Sequence, residues 1–216
     1  MTHLRVTRSV IAALLLTAGL LGAAAPAEAA PAMGAGYDTP SDGSLTCRGK
    51  GVGPTARVRY RTASVIHAPL STIWRLQTDV ERWPSWQQPV ASAERLDHGP
   101  LRTGSAFRWT IPVPSTPTTP ALDLDITSTV KQLKHGSCIR WTGPATAKAA
   151  EGLRIDGVHV WTFAKVRGGV RVSTEETHTG PVVEADVSTA TKVLREGLEA
   201  WLLDLKTAAE ARERQP

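Results

Sequence analysis

Between Val58 and Ile66, Val58, Tyr60, Thr62, Ser64 and Ile66 alternate with Arg57, Arg59 and Arg61, the period of a strand with one face toward a core. Ala68-Pro69 ends it. Pro69 then opens a helix on which Ile73, Trp74 and Leu76 recur at helical spacing. A second short turn is predicted from Asp79 to Trp86. Further strands are predicted over 90–97, 105–111, 122–130, 137–142, 155–166 and 170–178, the last two forming a hairpin around Gly168-Gly169. Pro112, Pro114, Pro117 and Pro120 interrupt the ladder, and 143–152 is predicted as a loop. A long terminal helix begins at Asp186 or Ser188, either of which can cap it. Its apolar positions include Ala190, Leu194, Gly197, Leu198, Trp201, Leu202 and Leu205, against a polar side carrying Lys192, Arg195, Glu199 and Lys206. Antiparallel strands with helices grouped at the beginning and end make an α+β fold.

The first 29 residues stand apart. Arg5 and Arg8 precede an apolar run from Val10 to Ala25, and Ala27-Glu28-Ala29 is a small-residue cleavage site, so 1–29 reads as a secretory signal peptide. A retained membrane anchor is the alternative, since roughly 16 apolar residues fall only a little short of a span. On cleavage the protein is secreted, extracellular or in the cell envelope, and meets a membrane only through the signal. Residues 30–56 are rich in glycine and poor in apolar side chains, and read as a flexible leader. Its Gly49-Lys50-Gly51-Val52-Gly53 has no preceding strand or following helix to make it a phosphate loop. One domain, 57–212, and a tail, 213–216, complete the chain. The two cysteines, Cys47 and Cys138, suit a disulfide pinning the leader to the domain, with two free thiols as the alternative.

The 216 residues carry a formal net charge of +5. Acidic and basic residues are interspersed, and with export this argues against nucleic acid as a partner. Arg57, Arg59 and Arg61 are a solvated sheet face, or a weak attraction for anionic envelope polymers.

The succession of strand, Ala-Pro, short helix and Asp79-x-x-x-Trp83-Pro84-x-Trp86 resembles the opening of the polyketide cyclase/dehydrase group of the START-like, or SRPBCC, superfamily. Gly157-x-His159-x-Trp161-x-Phe163, the Gly-Gly hairpin and the terminal helix extend the resemblance over 57–212. It implies a helix-grip domain, a curved antiparallel sheet of about six or seven strands wrapped around the C-terminal helix and enclosing an apolar cavity. Alternate strand positions and the inner helix face then make Phe107, Trp109, Leu124, Ile126, Trp141, His159, Trp161, Phe163, Gly197 and Trp201 the ligand-lining candidates, with plain core packing as the alternative. Gly197, on the buried side, would leave room for a ligand or let the helix approach the sheet.

His159, Glu176 and His178 fall on inward positions of adjacent strands, where they can converge as a proton-transfer group. The spacing is not that of a metal site, and no metal or cofactor is expected. Arg108 and Arg140 would bind an anionic oxygen only if they faced inward. The functions implied are a secreted carrier or sensor of an apolar small molecule such as a lipid or polyketide, or a cyclase or dehydratase using His159, Glu176 and His178 as catalytic groups. A cavity-free domain making only protein contacts is the third reading.

Overall fold

The structure is a computed structural model that describes residues 43–115 and 120–214. The stretch expected to be a signal peptide, the leader before Gly43, Pro117 and the last two residues of the tail lie outside the described residues. Seven antiparallel strands form one sheet: β1 Val58–Ile66, β2 Ser92–Arg95, β3 Ala106–Val113, β4 Leu122–Lys134, β5 Cys138–Thr146, β6 Arg154–Val166 and β7 Gly169–Thr179. Their order is β1-β7-β6-β5-β4-β3-β2, so only β1 leaves sequence order, crossing to pair with β7. Three helices complete the domain, α1 Leu70–Thr78, α2 Pro181–Ala185 and α3 Val187–Glu213, with a 3-10 helix at Val80–Ser85.

Pro69 sits at the N-cap of α1, which buries Ile73, Trp74, Leu76 and Gln77. Asp186 caps α3 by accepting from the Thr189 amide at 3.0 Å and the Thr189 hydroxyl at 2.7 Å, satisfying donors that the first helical turn leaves free. The 27 residues of α3 span about 40 Å at 1.5 Å each. Its buried stripe is Ala190, Leu194, Leu198, Trp201, Leu202, Leu205 and Ala209. The helix runs closest to β1 and crosses the concave face, so its stripe meets the inward residues of the sheet. This is the helix-grip architecture.

The elements differ from the sequence expectation in four places. Strand β5 continues through Gly143 and Pro144, where the sequence predicts a loop, because Gly143 lets two strands approach closely. A Cβ at Gly143 would lie 2.2 Å from the Thr127 carbonyl oxygen. Strand β4 runs on to Lys134 past an irregularity between Val130 and Gln132, of the kind that bends a sheet. Pro112 lies inside β3 rather than ending it. Ala91 N donates to Thr110 O at the end of β2, and two residues farther on the missing amide of Pro112 falls beyond that partner strand. The short α2, with Pro181 at its start, has no counterpart in the sequence expectation.

The outer face corrects the flexible-leader expectation for residues 43–56. Cys47 and Lys50 exchange backbone hydrogen bonds of 2.9 and 3.0 Å around Arg48 and Gly49, whose φ angles of 51° and 75° make the tight reverse turn of a hairpin. Cys47 forms the disulfide with Cys138, 91 residues away, and packs with Val52, Val160 and Val158. Glu175, 1% exposed, accepts from the Leu45 amide at 2.5 Å and from Arg59 Nε at 2.6 Å. Gly53 N donates to Thr177 Oγ1, and Arg140 Nε to Gly51 O. The leader's low apolar content conceals this strap, since cross-links and a buried carboxylate hold it rather than a hydrophobic stripe. The arginine face is correspondingly engaged: Arg59 pairs with Glu175 and Arg61 donates to Gly43 O. Arg140 also faces outward, as does Arg108, which pairs with Glu94.

Candidate functional site

Alternation along β6 directs Ile155, His159, Trp161 and Phe163 toward α3, while Val158 and Val160 face the strap. Phe107 and Trp109 from β3, Trp141 from β5 and Trp201 from α3 meet His159 and Trp161 there. Trp83, from the 3-10 helix, is fully buried among them, with ring centroids 5.0 Å from Trp201, 5.3 Å from Phe107 and 5.7 Å from Trp109. Most of these contacts are edge to face, the favoured geometry of aromatic quadrupoles. The proposed lining residues Phe107, Trp109, Trp141, His159, Trp161 and Trp201 therefore form one cluster linked by successive ring contacts.

The other lining candidates are placed differently. Phe163 contacts Trp74 at 5.3 Å, and Leu124 is half-buried and Ile126 buried on β4. Gly197 is exposed, and a Cβ built on it meets nothing within 4 Å. It neither lines the interior nor eases helix approach, which corrects the expectation drawn from its small size. Trp74 and Phe163 each border a surface cleft. One, of about 630 Å³, lies among Pro69, Leu70, Trp74, His135 and Lys165. The other, of about 700 Å³, lies among Thr46, Arg48, Cys138 and Phe163.

Polar atoms are set into this aromatic interior. Gln77, fully buried on α1, accepts from Trp201 Nε1 at 3.3 Å through Oε1, and its backbone carbonyl accepts from Trp83 Nε1 at 3.3 Å. Its Nε2 has no hydrogen-bond partner, and neither does Nε1 of the fully buried Trp161. Gln77 and Trp83 escape the sequence reading as site residues. Gln77 stands four residues after Ile73 on the buried stripe of α1, a signal that could have found it.

The structure brings the side chains of His159, Glu176 and His178 together. His159 and Glu176 are register partners across β6 and β7. Glu176 lies between the two imidazoles, Oε2 3.2 Å from His159 Nδ1 and Oε1 3.2 Å from His178 Nε2. His159 Nε2 is 2.6 Å from Thr174 Oγ1. Burial pushes the His159 imidazole down to about 4, with His178 adding to the shift and Glu176 opposing it. Burial alone would raise Glu176, but His159 and His178, which also hydrogen-bonds it, outweigh that and bring it to about 2. At neutral pH the pair is thus a carboxylate and an uncharged ring. A carboxylate can only accept, so its oxygen 3.2 Å from Nδ1 favours the tautomer with the proton on Nδ1, which leaves Nε2 to accept from the Thr174 hydroxyl. Among the described residues no group of three or more His, Cys, Asp or Glu side chains is arranged to hold a metal ion.

Among curated proteins none matches the sequence. Solved structures match in fold. A START superfamily protein from Mycobacterium smegmatis is 13% identical, with TM-score 0.52 over 71% of this chain and 97% of that one. TTHA0849 from Thermus thermophilus is 20% identical, with TM-score 0.52 over 71% and 98%. The di-domain ARO/CYC StfQ of the steffimycin biosynthetic pathway is 19% identical, with TM-score 0.52 over 72% of this chain and 51% of that one. The model of the family described as polyketide cyclase / dehydrase and lipid transport matches residues 56–210, from the start of β1 almost to the end of α3. With that match over most of its length and the helix-grip fold around it, the chain belongs to the polyketide cyclase/dehydrase and lipid transport family.

Proposed function

We propose that the protein is a secreted carrier or sensor that holds a flat, oxygen-bearing apolar molecule between α3 and the concave face of the sheet. The observation that carries this reading is the set of unspent buried donors, Gln77 Nε2, Trp86 Nε1, Gln87 Nε2 and Trp161 Nε1, of which Gln77 and Trp161 stand inside the cluster of aromatic rings. A buried donor without a partner costs about 1–3 kcal/mol, and native cores rarely keep such groups in permanently closed packing. A bound carbonyl, ether or hydroxyl oxygen would satisfy the donors of Gln77 and Trp161 while the surrounding rings supplied apolar contact. The apolar run with its small-residue cleavage site supports export, and the disulfide suits an oxidising compartment. No helix among the described residues is long and apolar enough to cross a membrane.

Tryptophan emission tests the reading. A flat carbonyl-bearing aromatic probe should bind in the micromolar range and quench emission, and Trp161→Ala should weaken that binding. Absence of binding by such probes would refute an interior site and favour a domain that makes only protein contacts. The converging His159, Glu176 and His178 support a second reading, a cyclase or dehydratase acting in the same place. In that case variants at these three positions would still bind substrate and lose turnover by about a hundredfold or more.

A further inference from the structure

His178, Glu176, His159 and Thr174 form an ordered line from solvent into the aromatic interior. Side-chain exposure falls from 25% at His178 to 18% at Glu176 and 4% at His159, and Thr174 is fully buried. Each neighbour is within reach: 3.2 Å from His178 to Glu176, 3.2 Å from Glu176 to His159, and 2.6 Å from His159 to Thr174. Gly157 leaves room for this line. A Cβ there would lie 3.3 Å from Glu176 Oε1 and 3.7 Å from the His178 ring, so a side chain would crowd the carboxylate held between the imidazoles. The His159 ring itself stands against Trp141, Trp161 and Trp201, at 5.2, 4.9 and 6.3 Å between centroids.

Plain apolar contact needs none of this. A ring oriented by a carboxylate at Nδ1, with Nε2 offered to a hydroxyl, has the arrangement of a general base. We propose that the line makes His159 Nε2 the proton acceptor for a weakly acidic hydroxyl on the bound molecule, so that the protein selects a phenol or enol and holds it ionised. The inference rests on the binding reading above and adds the ligand's chemical class.

The transfer balances within the site. The ligand O–H bond breaks, its electron pair stays on oxygen, and the proton joins His159 Nε2. The Thr174 hydroxyl occupies Nε2 in this structure and must turn aside for the ligand hydroxyl to take its place. The resulting imidazolium lies between two anions, the Glu176 carboxylate and the ligand oxygen. Glu176 already stands beside the empty ring without making it basic, so the added charge of the ligand oxygen is what offsets the desolvation that keeps the empty ring neutral. The other ionisable groups facing the line are Tyr60 of β1, opposite Glu176 in the sheet, and Glu199 and Arg195 of α3, which act on Tyr60. Tyr60 donates to Glu199 at 2.5 Å and its hydroxyl is held up to about 12, through burial first and then Glu199, so it stays neutral while a phenol ionises.

A pair of coumarins tests this, because 7-hydroxycoumarin reports its ionisation by absorbance and 7-methoxycoumarin has no proton to give. Both should bind the native protein, and bound 7-hydroxycoumarin should ionise about 1–3 pH units lower than in water. In His159→Gln and Glu176→Gln the bound phenol should titrate as it does in water. Binding of both coumarins with no shift in the native protein, or with a shift that survives in His159→Gln, would overturn the base and leave the binding reading standing. Binding of neither would overturn the binding reading itself. Ring-nitrogen NMR of the ligand-free native protein decides the matter without variants: a proton on His159 Nδ1 with Nε2 bare supports the assignment, and a proton on Nε2 overturns it.

Discussion

Replacing Gln77 by methionine keeps the length of the side chain and removes the amide, which separates a structural role from a binding one. The change abolishes one orphaned donor, Nε2, a gain of about 1–3 kcal/mol, and creates another by taking the acceptor from Trp201 Nε1, a loss of similar size. The two nearly cancel, and methionine fits irregular aromatic surroundings well. Stability should therefore stay within about 1 kcal/mol of the native protein. Leu205→Ala, at a fully buried position without polar atoms, should by contrast cost about 2–5 kcal/mol. Binding of a carbonyl-bearing probe should fall roughly tenfold in Gln77→Met if the lost hydrogen bond contributes about 1.4 kcal/mol. Urea unfolding monitored by circular dichroism gives the first quantity and tryptophan quenching the second. A loss above about 3 kcal/mol with unchanged probe affinity would show that Gln77 serves the fold alone, and the argument from unspent donors would fail.

Trp201→Ala should destabilise by about 3–5 kcal/mol, because its ring joins α3 to the 3-10 helix, β3 and β6; a melting temperature equal to the native one would contradict that packing. Gly197→Ala should raise stability by about 0.5–1 kcal/mol, since the position is helical, exposed and open, and a destabilised variant would mean the glycine is engaged. Reduction of the disulfide should cost up to about 4 kcal/mol in the chain-entropy model and admit protease to residues 43–56; a strap still protected after reduction would show that Glu175 and its partners suffice. Acid should unfold the protein in two stages. His159 is held at about 4 against an ordinary value of 6.5, so the unfolded chain binds its proton first and stability falls as pH drops from about 6.5 to 4. Glu176, about 2 against 4.5, adds a loss between about 4.5 and 2, and His159→Gln should remove the upper stage and shrink the lower one, because the His159 charge is among those that hold Glu176 down.

Where chemistry is local, the sequence is easily read. The limits of β1 follow from strict alternation, the opening of α1 from Pro69, the cap of α3 from Asp186, and the β6–β7 hairpin from Gly168-Gly169. Alternation also brings His159, Glu176 and His178 to one face before any pairing is known. What escapes depends on approach between distant segments. Gly143 reads as a turn residue until Thr127 is seen against it. Gly197 lies on the shoulder of the α3 stripe, where a residue without a side chain signals neither face. Glu175, alternate to the inward residues, reads as a solvent carboxylate unless Leu45 and Arg59 are known to cover it. The 3-10 helix places Trp83 at the centre of the aromatic cluster, a location that no periodicity of its short segment encodes.

The interior between α3 and the sheet is proposed to take up a small molecule. Native mass spectrometry of the protein purified from its own host addresses it most directly. The expected result is a population heavier than the disulfide-bonded chain by the mass of one oxygen-bearing aromatic or polycyclic compound, released by organic solvent and displaced by a tight probe. A single species at the mass of the bare chain, combined with failure of flat aromatic probes to quench tryptophan emission, would contradict it.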